Sequence, residues 1–464
     1  MTHIDLAEEG PPGLPPGTGS IFRERNFVLL WSAQVLSQLA NNMVLAALMA
    51  VVVGVTQSNT ANALLILTFL APAVVFSALA GVFVERNDAR LIMIASNLGR
   101  AVGTVFFILV GSNVLAILVL NFLISTVSAF FAPAELTAIP RLLDRRHLMA
   151  ANSVFILTVN ATFGIGFGVI GPLILTTLGP SAVYIVVGVM FGLAALAIIP
   201  LPSVKAEKPE GVPSVRVAGQ ALTHVVDELR EGIAFVQRTP QIAWSLRYLG
   251  IGASIIGVLG ALGPGFATTI LGLRPEDIFF IMGPAGLGAV TGILFLNSFG
   301  QYVPRRLLID VGLVLTSVML VAIALVRPIV DVLSPALQPI EANLPSLLSA
   351  ALSLVALVIA IAFGAGIAYA LIAIPAQTAL QEELPVNVRG RIFGILNTLL
   401  SVASFFPVLA APVVADVVDI LLPGLGIPVV LLGLALFLAW VSVTSWRQNA
   451  ALGFHQRQPP GEDA

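Results

Sequence analysis

The sequence predicts an all-α membrane protein of twelve transmembrane helices arranged as two parallel six-helix repeats. Three observations carry that expectation. Hydrophobic residues make up 58% of the 464 residues, and the mean hydropathy is +1.01; soluble domains hold roughly 45–50% apolar residues. Apolar runs long enough to cross ~30 Å of hydrocarbon recur along the whole chain. The two halves of the chain also repeat one another.

The runs fall at about 27–53, 61–84, 91–110, 114–134, 150–178, 181–201, 243–271, 276–299, 307–327, 346–380, 390–415 and 425–446. Alternating ten-residue segments, the barrel signature, do not occur. Helices are then the structures that satisfy their own backbone in lipid. The longest polar interruption divides the spans six and six. In the first half, "FAPAELTAIPRLLDRR" closes the fourth span; in the second, "AIPAQTALQEELPVNVRGR" closes the tenth. Pro133 and Pro375 differ by 375 − 133 = 242, and Pro172 and Pro412 by 412 − 172 = 240. Arg90 and Arg306 differ by only 216, and the missing length reappears in the long loop 327–346. A parallel six-helix repeat accounts for all three offsets.

Residues 1–20 form a Pro/Gly-rich tail expected to be disordered. The first half is placed at 21–201, a linker at 202–242, the second half at 243–446, and a second tail at 447–464. Within the linker, Leu222, Val225, Val226, Leu229, Ile233 and Val236 have helical spacing. This predicts an amphipathic helix lying on the membrane surface, as a tether between halves or a regulatory element.

Charge orients the chain. The net charge of −2 gives no global field that would draw nucleic acid. Of the 22 Lys and Arg, nineteen lie in segments that share a side with the N-terminus, Arg274 and Arg327 lie opposite, and Arg100 lies inside a span. The positive-inside rule therefore predicts a plasma-membrane protein with both termini cytoplasmic.

Ionisable groups at membrane depth cost ~2.5–3.5 kcal/mol, so each needs a reason. Arg100 stands near the middle of span three, with Asn97, Ser125, Ser128 and Glu135 as candidate partners. A structural polar cluster and a coupling or anion-binding role both fit it. Glu135 and Asp310 lie within about a turn of the cytoplasmic boundary, as gate, interface or coupling groups. Span one places Gln34, Gln38 and Asn41 on one face, beside Ser37 and Asn42. Substrate contact and interhelical bonding both explain such amides. Span five carries Asn160, a glycine series and Gly171-Pro172, where the backbone is expected to flex.

Other chemistry is not indicated. His3, His147, His224 and His455 have no metal-ligand spacing. No Gly-Lys-Ser/Thr phosphate loop points to nucleotide, and "GIGFG" has no strand before it. No metal, cofactor or enzymatic activity is expected.

The stretches "FRERNFVLLWSAQVLSQLANN", "GVFVERNDAR", "FFAPAELTAIPRLL" with "AANSV", "DELREGIAFVQRTP" and "LPVNVRGRIFGILNT" resemble the major facilitator superfamily, in particular its bacterial small-molecule exporters of the enterobactin-exporter-like type. The likeness covers about residues 20–446. "GVFVERNDAR" is similar to the superfamily loop of Gly, an acidic-Arg pair, Gly and basic residues, with Glu85 for Asp, Asp88 for Gly and Ala89 for a basic residue. The resemblance implies that Glu85, Arg86, Asp88 and Arg90 latch against Arg389 or Arg391 at the start of span eleven; a solvated turn is the alternative. It also implies that span one lines a central cavity. Asn42 stands where related exporters often carry an acid, and the Gly-Gly expected after Pro172 is Ile174-Leu175 one residue on.

The implied function is export of a drug-like compound, secondary metabolite or siderophore by alternating access, driven by proton antiport, in a monomer within the bilayer. Uptake, a non-transporting scaffold or sensor, and a lipid flippase are the alternatives.

Overall fold

The computed structural model describes residues 21–144, 147–205, 236–330, 332, 354–383 and 389–451. Among these, twelve helices are long and apolar enough to cross a membrane. They are span one Arg25–Thr56, span two Asn59–Arg86, span three Ala89–Val110, span four Val114–Ser128 continued by Phe131–Leu142, span five Leu148–Thr162 continued to Leu178, span six Pro180–Ile198, span seven Pro240–Thr269, span eight Phe279–Phe299, span nine Arg305–Ala324, span ten Leu354–Glu383, span eleven Arg389–Leu421 and span twelve Gly426–Ala451. The first tail, the linker helix up to residue 235 and the second tail beyond Ala451 lie outside the described residues; residues 447–451, placed in that tail, continue the helix of span twelve.

Local chemistry sets several helix starts. Ser58 accepts from the Ala61 N–H at 3.2 Å, Asn113 from Ala116 at 3.1 Å, and Asp88 from Arg90 at 3.0 Å. Each satisfies one of the first-turn donors that a helix leaves open. Span four is interrupted at Ala129 and Phe130, where Pro133 has no N–H to return to the Ala129 carbonyl.

The chain forms two compact units. One comprises Met1–Phe235 with Leu259–Gly283, and the other Val236–Val258 with Pro284–Ala464. The division between these units passes through span seven and again through span eight. In span seven the reason lies in the contacts of the far end of the helix. Asn62 donates to the Ala261 carbonyl at 2.6 Å, and Gly265 has no Cβ to collide with Asn59. Pro264 between them breaks the regular hydrogen-bond ladder.

In the first unit, span one is the hub. Leu30, Ala33, Ala194 and Ile198 share one core cluster of spans one and six; Ala40, Ala47, Val187 and Phe191 share the next. Alanines allow the two helices to approach closely, the usual mode of packing where lipid supplies no hydrophobic drive. Span five approaches span one from another side through a π-helical segment, Phe163–Ile170. The Gly171 N–H bonds to the Gly166 carbonyl five residues back, and Pro172 follows with no N–H to give. The widened helical turn directly precedes Gly171-Pro172. A Cβ on Gly171 would lie 3.1 Å from the Met43 Cα, and one on Gly166 would lie 3.1 Å from the Leu39 carbonyl oxygen.

In the second unit, span nine packs against spans ten and twelve. Gly312 sits under Ile372 and Ala368, and Ser317 donates to the Ala435 carbonyl at 2.8 Å. Large apolar side chains line the outside of both units, among them Leu109 at 78% and Ile420 at 80% exposure. On a water-soluble protein such surfaces would aggregate; here they meet acyl chains.

Gly171→Val should lower the thermal stability of the detergent-purified protein by about 1–3 kcal/mol through overpacking against span one. Gly164→Val, where nothing lies within 4 Å of the added Cβ, should leave the melting temperature nearly unchanged.

Candidate substrate and coupling site

Arg100 lies eleven residues into span three, about 16 Å along a helix rising 1.5 Å per residue. That is mid-way across ~30 Å of hydrocarbon, and the side chain is only 4% exposed. Its Nη2 donates to Asn97 Oδ1 at 2.7 Å and its Nε to the Ser96 carbonyl at 3.3 Å. The guanidinium sits 4.6 Å from the ring centroids of both Phe131 and Phe191. Two aromatic faces give a desolvated cation electrostatic partners without ion pairing. Glu135, four residues after Phe131 and 7% exposed, is its through-space opposite charge. Ser37 of span one donates to the same Asn97 oxygen at 2.9 Å.

The cluster is only partly satisfied. Glu135 Oε1, Asn97 Nδ2 and, one turn from Ser37, Gln34 Oε1 are buried with no hydrogen-bond partner. Buried polar atoms are nearly always paired, and a group of exceptions calls for a proton, a water or a ligand. Of the partners the sequence offered for Arg100, Asn97 and Glu135 are in place. Ser128 instead returns its hydroxyl to the Ile124 carbonyl at 3.0 Å. Phe131 and Phe191 were not foreseen. Phe131 shares a helical face with Glu135, a signal that was legible; Phe191, on span six, gave none.

The span-one amides separate. Gln34 is buried, Gln38 and Asn41 are half-buried, and Asn42 is buried. Asn42 packs at the π-helical segment, its Cβ 3.1 Å from where a Gly166 Cβ would stand. It belongs to the contact between spans one and five.

The loop between spans two and three departs from the latch expectation. Asp88 is buried and committed within the first unit. Its Oδ2 accepts from the Ser203 hydroxyl at 2.6 Å, and its Oδ1 from the Val204 N–H at 3.0 Å and the Arg90 N–H at 3.0 Å. Arg90 donates to the Ile199 carbonyl at the end of span six. Both residues therefore tie this loop to the chain leaving span six, because a helix N-terminus and a helix C-terminus present complementary partners there. Arg86 is exposed. The side chains of Glu85, Asn160, Arg389 and Arg391 lie outside the described part of the structure. Burial opposes the charged form of Asp88, but the Ser203 hydroxyl, the Val204 and Arg90 N–H groups and the Arg90 charge outweigh it, holding its carboxyl below the usual 3.8.

Asp310, in the second turn of span nine and 7% exposed, accepts from the Ser445 hydroxyl at 2.6 Å, and Ser445 accepts from the Tyr248 hydroxyl at 2.9 Å. The chain of bonds joins spans seven, nine and twelve at one end. Glu24, Asp144 and His147 bring one potential ligand atom each within 4.8 Å of the others. Sequence spacing could not show this, since Glu24 lies before span one. Two of the three are exposed, and nothing further marks the cluster as a metal site.

The matched model, Major Facilitator Superfamily, spans residues 30–408. The chain belongs to that superfamily, a class of multi-pass membrane transporters. It is 25% identical over 427 residues to the Bacillus subtilis (strain 168) uncharacterized MFS-type transporter YfiS, covering 89% of this chain and 93% of that one. It is 27% identical over 324 residues to YkuC of the same organism, described in the same words, covering 63% and 71%. Among solved structures, the inward-facing, unoccupied bacterial homolog of the human lysosomal transporter Spinster matches with TM-score 0.64 and 14% identity, over 94% of this chain and 99% of that one. The nucleoside transporter NupG matches with TM-score 0.61 and 14% identity, over 90% and 99%. At such identities the structures report the fold alone.

Arg100→Leu should destabilise the protein by about 1–3 kcal/mol, because Asn97 and the Ser96 carbonyl lose a buried charged donor. The double variant Arg100→Leu/Glu135→Leu should recover part of that loss, read as unfolding midpoints in detergent. Asp88→Ala should cost about 1–2 kcal/mol near neutral pH through the lost cap. Because the folded-state carboxyl is held low, its contribution is present above 3.8 and fades as pH falls through the lower folded value. The difference between wild type and Asp88→Ala should shrink accordingly in acid.

Proposed function

We propose that this transporter exports a small, partly apolar molecule by alternating access in exchange for protons, with Glu135 carrying the proton and Arg100 as its partner. The observation that carries the reading is a buried carboxylate with one oxygen lacking any hydrogen-bond partner, in the electrostatic field of a cation held by two aromatic rings. Protonation removes the carboxylate charge and weakens its hold on Arg100; loss of the proton restores both. A site of that kind gives a transporter two charge states to exchange between its two faces.

Gln34, Gln38 and Asn41 supply the polar contacts for the substrate. The unpartnered Gln34 oxygen supports this, as does the link from Ser37 through Asn97 to Arg100, which would let occupancy of span one alter the Arg100–Glu135 interaction. The widened turn of span five beside Asn42 supplies the compliance that rocking requires. Export rests on the resemblance of the span-one, span-four and linker stretches to bacterial small-molecule exporters. The same reading takes the protein to lie in the plasma membrane with both termini cytoplasmic, which the arginine asymmetry supports.

The experiment begins with a thermal-shift screen of detergent-purified protein against siderophores, antibiotics and hydrophobic cations at two pH values. A ligand at a hundredfold excess over Kd raises stability by about 2.7 kcal/mol. The hit is then followed in proteoliposomes. Glu135→Gln should abolish pH-gradient-driven flux while substrate counterflow persists. Loss of both activities in a folded variant would remove Glu135 as the proton carrier, and flux only in the inward sense would overturn export.

A further inference from the structure

We propose that the second unit carries a binding site for an anionic phospholipid, with one acyl chain lying in a groove between spans seven, eleven and twelve and the headgroup phosphate on Arg247. The groove has a volume of about 500 Å³ and an almost wholly apolar lining that includes Ile251 and Ile255 of span seven, Pro407 of span eleven and Phe437 of span twelve. Arg247 is part of the same lining, between Ala243 and Ile251.

The six-helix repeat shows why this opening is notable. Spans one and six, the counterparts of spans seven and twelve, are packed against each other along a shared core with alanines at the contact. The corresponding seam of the second unit holds a cavity. An apolar void at membrane depth favours an acyl chain as its occupant, because leaving it empty forfeits dispersion contacts on every side.

The position of Arg247 decides which lipid. The bond between Tyr248 and Ser445 places it level with Trp446 and Arg447, all three of these side chains being exposed. Tryptophan and arginine at a helix end mark the headgroup layer, and the charge asymmetry assigns that layer to the cytoplasmic leaflet. Among the described residues Arg247 has no hydrogen-bond or ion-pair partner, so its guanidinium is available to a phosphate. From Arg247 to Ile255 span seven rises about 12 Å, close to the ~15 Å hydrocarbon depth of one leaflet. Head and tail of a single phospholipid molecule thus match the charge of Arg247 and the stretch of groove from it to Ile255. A groove that merely bound hydrophobic molecules would need no cation in its lining.

The test is native mass spectrometry of the full-length, detergent-purified protein titrated with phosphatidylglycerol or phosphatidylcholine. Wild type should retain one phosphatidylglycerol with about fivefold preference, the factor expected for one basic residue near an anionic headgroup. Arg247→Gln should bring retention down to the phosphatidylcholine level. Ile251→Trp, which fills the groove and leaves the cation, should lower retention of both lipids. Circular dichroism and a monodisperse elution profile confirm that each variant is folded. Equal retention of the two lipids by wild type, or an unchanged preference in Arg247→Gln, would overturn the proposal. So would undiminished binding in Ile251→Trp.

Discussion

Hydrocarbon offers a polar atom no partner, and the architecture follows from that one fact. Every backbone group in a span must bond within its own helix, which is why the described chain is helical and why its few departures from the α-helix are so localised. The widened turn of span five occurs where Pro172 withholds an N–H. The break in span four occurs where Pro133 does the same. Each lies where span one or span four contributes polar groups, so the sites of backbone irregularity and the sites of candidate chemistry coincide.

The same constraint explains the treatment of charge. Arg100 is neither exposed nor closed into a salt bridge; it is sandwiched between phenylalanines and bonded to an asparagine amide. This arrangement holds a cation in place while leaving its opposite charge, Glu135, incompletely committed. A fully bonded ion pair would be harder to open, since each partner would be stranded when the other moved. Near the membrane surface, where water competes, the chain uses the opposite strategy. Asp88 is bonded at both oxygens, and the loop it anchors is fixed to the end of span six.

Span one connects these features. It seals against span six through small residues, meets span five across Gly166 and Gly171, and reaches span three through Ser37. A displacement of span one would therefore be felt at the π-helical segment and at the Arg100 cluster together. The second unit is built differently, around span nine, and leaves the seam between spans seven and twelve open. The two six-helix halves thus use the same position differently.

Composition and periodicity by themselves determined the membrane class and the twelve spans, because crossing a bilayer imposes a length and an apolarity that local sequence must show; the superfamily was legible only through the resemblance of particular motifs. Arg100, Glu135 and Gly171-Pro172 were also legible, being costly or disruptive wherever they occur in lipid. Tertiary structure alone decided what those residues touch. Phe191 could not be found from sequence, since an aromatic residue in an apolar helix carries no mark of facing a cation three spans away. Asp88 resembled one side of a latch, and only folding brought Ser203 and Val204, more than a hundred residues later, onto its carboxylate. The division within span seven was equally hidden, because it depends on Asn59 and Asn62 meeting Gly265 and Ala261 across nearly two hundred residues of chain. Sequence records what a segment must be in its solvent; which partner satisfies each polar group is set by distances that exist only once the helices have packed.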